Sequence, residues 1–155
     1  MKFDTGTELP DNFVLTKEFS DVYNLINDTN VNLFITGKAG SGKSTLLEYF
    51  RQNTNKNFVT LAFQGITAIK AKGQTLHSFF KFGPHFLAKE EIKLLKDKSL
   101  IQSLDTILID EISMVRADLF DAIDLSLKKN RKINKPFGGV QMIVFGDVMQ
   151  IDPIV

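Results

Sequence analysis

The sequence predicts an α/β fold of three layers, α/β/α, around a mainly parallel sheet, and three observations carry that expectation. Residues 37–44, Gly-Lys-Ala-Gly-Ser-Gly-Lys-Ser, fit the phosphate-binding pattern G-x-x-x-x-G-K-[ST] at every required position. Four short runs, at 33–35, 59–63, 107–109 and 142–145, are apolar throughout rather than alternating, as in a parallel sheet covered on both faces. Segments of helical character lie between them. Strand–helix alternation opened by a phosphate loop is the order of a P-loop fold.

Taken along the chain, residues 1–12 are polar, carry Gly6 and Pro10, and read as a loosely held lead-in to a single domain over 13–155. Over 17–26, Phe19, Val22, Leu25 and Ile26 fall at helical spacing and predict a first helix. The strand at 33–35 feeds the phosphate loop, and a helix is expected over 43–52. A strand at 59–63 is followed by helical stretches at 66–72 and 89–96, the second an amphipathic surface helix rich in Lys and Glu. The strand at 107–109, a helix at 118–129 and the strand at 142–145 complete the pattern. The basic run 128–132 ends that helix, where cations complement the dipole.

Bulk composition narrows the function classes. The net charge is +1 over 155 residues, so any surface for nucleic acid or membrane must be local. No cysteine is present, which excludes disulfides and thiolate metal sites and fits a cytoplasmic protein. With two histidines, His77 and His85, a histidine metal site is not expected. No apolar run is long enough to span a bilayer.

The phosphate loop carries the first chemistry. A polyphosphate must be wrapped closely, and glycines at 37, 40 and 42 remove the Cβ atoms that would obstruct it. Backbone N–H groups from Gly37, Ala39, Gly40, Ser41, Gly42, Lys43, Ser44 and Thr45 then face the anion, with a helix N-terminus behind them. Lys43 reaches the β- and γ-phosphates, and the Ser44 hydroxyl is a ligand for Mg²⁺. ATP and Mg²⁺ are therefore the expected ligands. The second signal is Asp110-Glu111 at the end of an apolar strand, where ligands sit in open α/β sheets. Asp110 is expected to hold the Mg²⁺, through water or directly, and Glu111 to orient or deprotonate the attacking water. The third is Gly146-Asp147-Val148-Met149-Gln150 after the last strand, where the Gln150 amide is placed to hydrogen-bond the γ-phosphate.

Together these motifs resemble the superfamily 1 DNA helicases, in particular the RecD-like and Pif-type branch that moves 5′ to 3′. Asp110-Glu111-Ile112-Ser113-Met114 is similar to that branch's Asp-Glu-Ile-Ser-Met segment. Gly73-Gln74-Thr75-Leu76-His77-Ser78-Phe79 is similar to its Gly-Gln-Thr-Ile-His-Ser-Phe stretch, and Pro136-Phe137-Gly138-Gly139-Val140-Gln141 leads into Gly146-Asp147 as in the family. The resemblance covers roughly residue 15 to the end. It implies a RecA-like N-terminal motor domain acting on single-stranded DNA, with a covalently linked second RecA-like domain that supplies an arginine finger. None of Arg51, Arg116 and Arg131 stands in such a motif. The fragment alone is expected to be a monomer that binds nucleotide and turns it over poorly.

The resemblance also implies DNA contacts after the second strand. Gln64-Gly65 stand where the family has Thr-Gly, and an amide still donates to a phosphate oxygen. His77 and Phe82 are further candidates, since aromatics stack bases while nearby lysines neutralise phosphates. Phenylalanines so close together are commonly core; Phe79 and Phe80 read as core, and Phe82 is open between the two roles. In the first helix the family reads adenine with a glutamine, and Phe19 occupies that position here. A phenyl ring packs against a base but makes no hydrogen bond to it. Two other readings compete: a different P-loop ATPase such as an AAA+ machine, and a nucleotide-dependent DNA-binding module that does not unwind. DNA repair is one of several pathways such a motor would serve.

Overall fold

The computed structural model describes residues 16–37, 43–62, 73–82, 92, 94–96, 98–110 and 117–147. Five strands form one sheet: β1 (Leu33–Gly37), β2 (Phe58–Ala62), β3 (Gln74–Thr75), β4 (Thr106–Asp110) and β5 (Gln141–Asp147). Their order is β1-β5-β4-β2-β3, and every pairing is parallel. The helices are α1 (Lys17–Asp28), α2 (Lys43–Asn53), α3 (Leu76–Phe80), α4 (Ser99–Ser103) and α5 (Ala117–Arg131), with a 3₁₀ turn at Pro136–Gly139 before β5. No helix among the described residues is long and apolar enough to cross a membrane.

Continuous apolarity has the consequence expected of it. In β4, Ile107 and Ile109 face one side while Leu108 faces the other, and all three are buried. Leu108, Ile143 and Phe145 pack with Ile26 of α1 and with Leu46, Leu47 and Phe50 of α2. On the opposite face, Ile107, Ile109 and Met142 meet Leu76, Phe79 and Phe80 of α3 and Leu119, Ile123 and Leu127 of α5. Two apolar faces thus bind helices on both sides, which gives the three layers.

Local signals set the element ends. Thr16 caps α1, its Oγ1 accepting from Phe19 N at 3.1 Å, and Thr75 caps α3, its Oγ1 accepting from Ser78 N at 3.2 Å. Gly73 crosses β2 so closely that a Cβ there would stand 1.9 Å from the Thr60 carbonyl oxygen. Only glycine lets β3 approach its neighbour.

The amino-terminal rim of the sheet is a polar knot. Lys56 donates to the carbonyls of Ile26 (2.6 Å) and Thr29 (2.5 Å) and to Gln141 Oε1 (2.8 Å). All three ammonium protons are thereby used. Burial pushes its pKa down, against the opposing pull of Asp105 and Asp28. Gln141, itself buried, also accepts from Thr106 Oγ1 (2.8 Å) and donates to the Val31 carbonyl (2.9 Å). Nearby, the Arg131 guanidinium donates to the carbonyls of Gly138 (2.8 Å), Ile101 (2.7 Å), Leu104 (3.0 Å) and Gln102 (3.2 Å). It ties the end of α5 to the chain entering β4 and β5, and burial lowers its pKa as well.

One expectation changes. Ile92, Leu94 and Leu95 are not helical, so the surface helix over 89–96 is not formed at its described residues. Ile92 is buried instead, its carbonyl accepting from Lys129 Nζ at 2.9 Å, while Leu95 N donates to the buried Asn130 Oδ1 at 2.8 Å. Side chains of α5 take the backbone bonds that a helix would have made internally. The basic run ends α5 as expected, and three of its side chains also make bonds within the fold. Lys128 pairs with Asp124 at 2.8 Å, and Lys129 and Arg131 hold carbonyls as described. The expected helix at 66–72 lies outside the described residues.

Candidate functional site

Parallel pairing brings the carboxyl ends of all five strands to one rim, and the register gives that rim its shape. Gly37 is level with Asp147, whereas Ile109 is level with Val144, which puts Asp110 beside Phe145. β1 and β5 therefore run two residues past Asp110, about 7 Å of strand rise. On its other side Asp110 is level with Ala62, which is wholly buried. Asp110 lies at the foot of a step, and its side chain is 7% exposed. Two strand spacings, about 10 Å, separate it laterally from Gly37.

The chain leaves β1 at Gly37 and re-enters described structure as α2, which begins at Lys43 with Ser44 and Thr45 in its first turn. The N-terminus of α2 thus lies at the same rim as Asp110, with the N–H groups of its first turn and its positive dipole end. Among the described residues no group of three or more acidic or histidine side chains could enclose a metal. A cation beside Asp110 would need other oxygens, such as a hydroxyl, water and phosphate. That donor set fits Mg²⁺, which commonly keeps its waters and binds through one or two carboxylates and substrate phosphates.

A run of rings leads from this rim back between α1 and α2 to the start of β2. Phe19, half-buried in the first turn of α1, meets Tyr49 of α2 edge to face at 5.4 Å. Tyr49 meets Tyr23 at 4.9 Å, Tyr23 meets Phe50 at 6.3 Å, and Phe50 meets Phe58 at 5.1 Å. Burial, with Tyr49 and Asp28 adding, pushes the Tyr23 phenol up, so it stays neutral at ordinary pH. Tyr23 and Tyr49 escaped the sequence reading. The i, i+4 spacing of Phe19 and Tyr23 was the available signal, since it sets both on one stripe of α1.

The DNA candidates separate. Phe79 and Phe80 are core, at 8% and 1% exposure. Phe82 is half-buried and stacks on Phe80 at 5.2 Å and 14°, and His77, also half-buried, meets Phe82 edge-on at 6.3 Å. His77 and Phe82 therefore form one small aromatic unit beyond β3, backed by the core. Ala39, Gly40, Ser41, Gly42, Gln64, Gly65, Glu111 and Gln150 lie outside the described residues.

Comparison with known proteins gives this arrangement its family. The family model described as PIF1-like helicase matches residues 14–155. The ATP-dependent DNA helicase PIF1 of Danio rerio is 37% identical over 145 residues, covering 90% of this chain and 22% of that protein. The ATP-dependent DNA helicase RRM3 of Saccharomyces cerevisiae is 34% identical over 151 residues, covering 91% of this chain and 21% of its own length. The chain thus spans about a fifth of these relatives. A crystal structure of Pif1 helicase from Bacteroides in complex with ADP-AlF3 and single-stranded DNA superposes with a TM-score of 0.81 at 41% identity, over 93% of this chain and 34% of that one. Pif1 helicase from Candida albicans superposes with a TM-score of 0.78 at 34% identity, over 92% of this chain and 34% of its own. With its family motifs borne on a parallel P-loop sheet, the chain belongs to the PIF1-like helicase family.

Proposed function

We propose that this chain is the N-terminal motor domain of an ATP-dependent DNA helicase that moves 5′ to 3′ on single-stranded DNA. The observation that carries the reading is the recessed Asp110 carboxylate on the same strand-end rim as the start of α2. The Bacteroides Pif1 complex with ADP-AlF3 and single-stranded DNA supports both ligands, since its matching domain has the same fold at 41% identity.

In this reading, residues 37–45 wrap the phosphates and Lys43 neutralises the β- and γ-oxygens. Ser44 and Asp110 would hold Mg²⁺, which when bound would supply neutralising charge to the phosphates. Glu111 takes a proton from water, whose oxygen bonds to the γ-phosphorus as the bond to ADP breaks. Gln150 hydrogen-bonds the γ-phosphate and so distinguishes the triphosphate from its products. Phe19 packs on the base. Gln64, Gly65, His77 and Phe82 contact the strand. A covalently linked second RecA-like domain completes the DNA track and supplies an arginine finger, worth roughly 10³–10⁵ in rate in other P-loop enzymes. The fragment is a monomer, and the protein works in the cytoplasm.

The test is ATP hydrolysis by this chain with and without single-stranded DNA, together with Mg-nucleotide binding. Binding without DNA-stimulated turnover is expected. Clear stimulation would mean that the chain completes its own site, and absence of nucleotide binding would end the proposal.

A further inference from the structure

Phe19 and Tyr49 sit where a base would reach. Tyr49 follows Lys43 by six residues on α2, about 9 Å along the helix axis. A nucleotide whose phosphates lie at the N-terminus of α2 can lay its base down beside that second turn. Two α1 rings meet Tyr49, Phe19 and Tyr23, and Phe19 is the one a turn nearer the rim, half-exposed and braced edge to face against Tyr49. The brace is itself supported, because Tyr23 holds Tyr49, and Phe50 and Phe58 stand behind them. The outer ring is therefore backed by packed rings and presents a stable apolar surface.

The chemistry of that surface is one-sided. A phenyl ring has neither donor nor acceptor, so it cannot distinguish the amino group of adenine from the oxo group of guanine. The neighbouring Thr16 hydroxyl oxygen accepts from Phe19 N at 3.1 Å as the α1 cap; a hydroxyl can both donate and accept, so it favours neither the amino group of adenine nor the oxo group of guanine. Stacking, by contrast, is open to every base, since each has a π-face.

We infer that Phe19 makes this nucleotide site base-tolerant, holding purine and pyrimidine nucleotides by stacking and not by hydrogen-bond readout. The inference rests on the proposed nucleotide site and names its substrate class: nucleoside triphosphates in general, with ATP favoured in a cell by abundance.

The experiment is calorimetric titration of this chain with the Mg²⁺ complexes of ADP, GDP, CDP and UDP, and with tripolyphosphate, which has no base. Dissociation constants for the four nucleotides are expected to agree within about tenfold, purines the tighter for their larger stacking face. Phe19→Ala should weaken all four by about tenfold or more and leave tripolyphosphate unchanged. Phe19→Leu keeps apolar bulk without the aromatic face. It should match the wild-type melting temperature within a few degrees and still lose affinity for all four nucleotides. ADP binding more than about thirtyfold tighter than the other three would overturn the inference and leave the nucleotide site standing. So would a Phe19→Leu chain that binds the nucleotides like wild type. Failure to bind tripolyphosphate or any nucleotide would overturn the underlying reading as well.

Discussion

The two rims of the sheet are built from the same five strands and use polar residues in opposite ways. At the amino-terminal rim, Lys56, Gln141, Thr106 and Arg131 direct their hydrogen bonds into the fold; apart from the Arg131 bond to Gly138, those that Lys56, Gln141 and Arg131 make to other elements cross 27 to 110 residues of sequence. Asn57 and Asp105 add three more, with the Asp105 carboxylate accepting from Asn57 N at 2.8 Å and the Asn57 carbonyl accepting from Asp105 N and Thr106 N. At the carboxyl-terminal rim, the strands end on Gly37, Ala62, Thr75, Asp110 and Asp147. There, a buried acid and the N-terminus of α2 suit a charged ligand better than they suit stability. One rim closes the fold and the other is available for chemistry, so substitutions should divide accordingly.

The largest expected effect is at Asp110. Asp110→Asn keeps the shape and removes the charge that would hold Mg²⁺. In a full-length helicase it should reduce ATP turnover on the order of a thousandfold. The melting temperature of this chain should change by no more than a few degrees, because asparagine fills the same space. Steady-state hydrolysis and a thermal melt check the pair. A large loss of stability would show that Asp110 serves the fold, and the contrast between the rims would break.

Arg131→Met should show the reverse. It strands the carbonyls of Ile101, Leu104 and Gly138, and a loss of about 3 kcal/mol is expected. Denaturant unfolding measures it, and nucleotide affinity below the transition should be unchanged. Gly138→Ala attacks the same junction through the backbone. Gly138 has φ +60°, and a Cβ there would stand 2.7 Å from the Leu127 carbonyl oxygen. A loss of about 2 kcal/mol is expected, again without effect on nucleotide binding.

This division also explains what the sequence could disclose. The strands β1, β2, β4 and β5 and the helices α1, α2 and α5 were legible within a few residues, because burial on two faces or one stripe leaves a periodic trace. Asp110 was legible because an acid at the end of an apolar strand has a chemical reason to be there. The amino-terminal knot was not. Lys56 and Gln141 are 85 residues apart, and nothing local marks either as the other's partner. The segment around Ile92 misled for a related reason: its Lys- and Glu-rich pattern suits a surface helix, yet Lys129 and Asn130 hold its backbone from another element. Phe137, at φ +53°, is a conformation that no propensity assigns to phenylalanine.

The smallest expected effect tests whether the carboxyl-terminal rim is wholly free of structural duty. Thr16 stands at that rim, and its Oγ1 accepts from the N–H of Phe19, the residue that braces Tyr49. Thr16→Ala leaves that N–H to solvent and should cost about 1 kcal/mol, the usual worth of an N-cap. Thr16→Ser keeps the acceptor and should restore it. Because the cap fixes the first turn of α1, the alanine variant should also weaken nucleotide binding by a few-fold while leaving tripolyphosphate unaffected. A stability loss without that shift would mean that Phe19 is held by its ring contacts alone. The shift without a stability loss would mean that the cap serves the ligand rather than the helix.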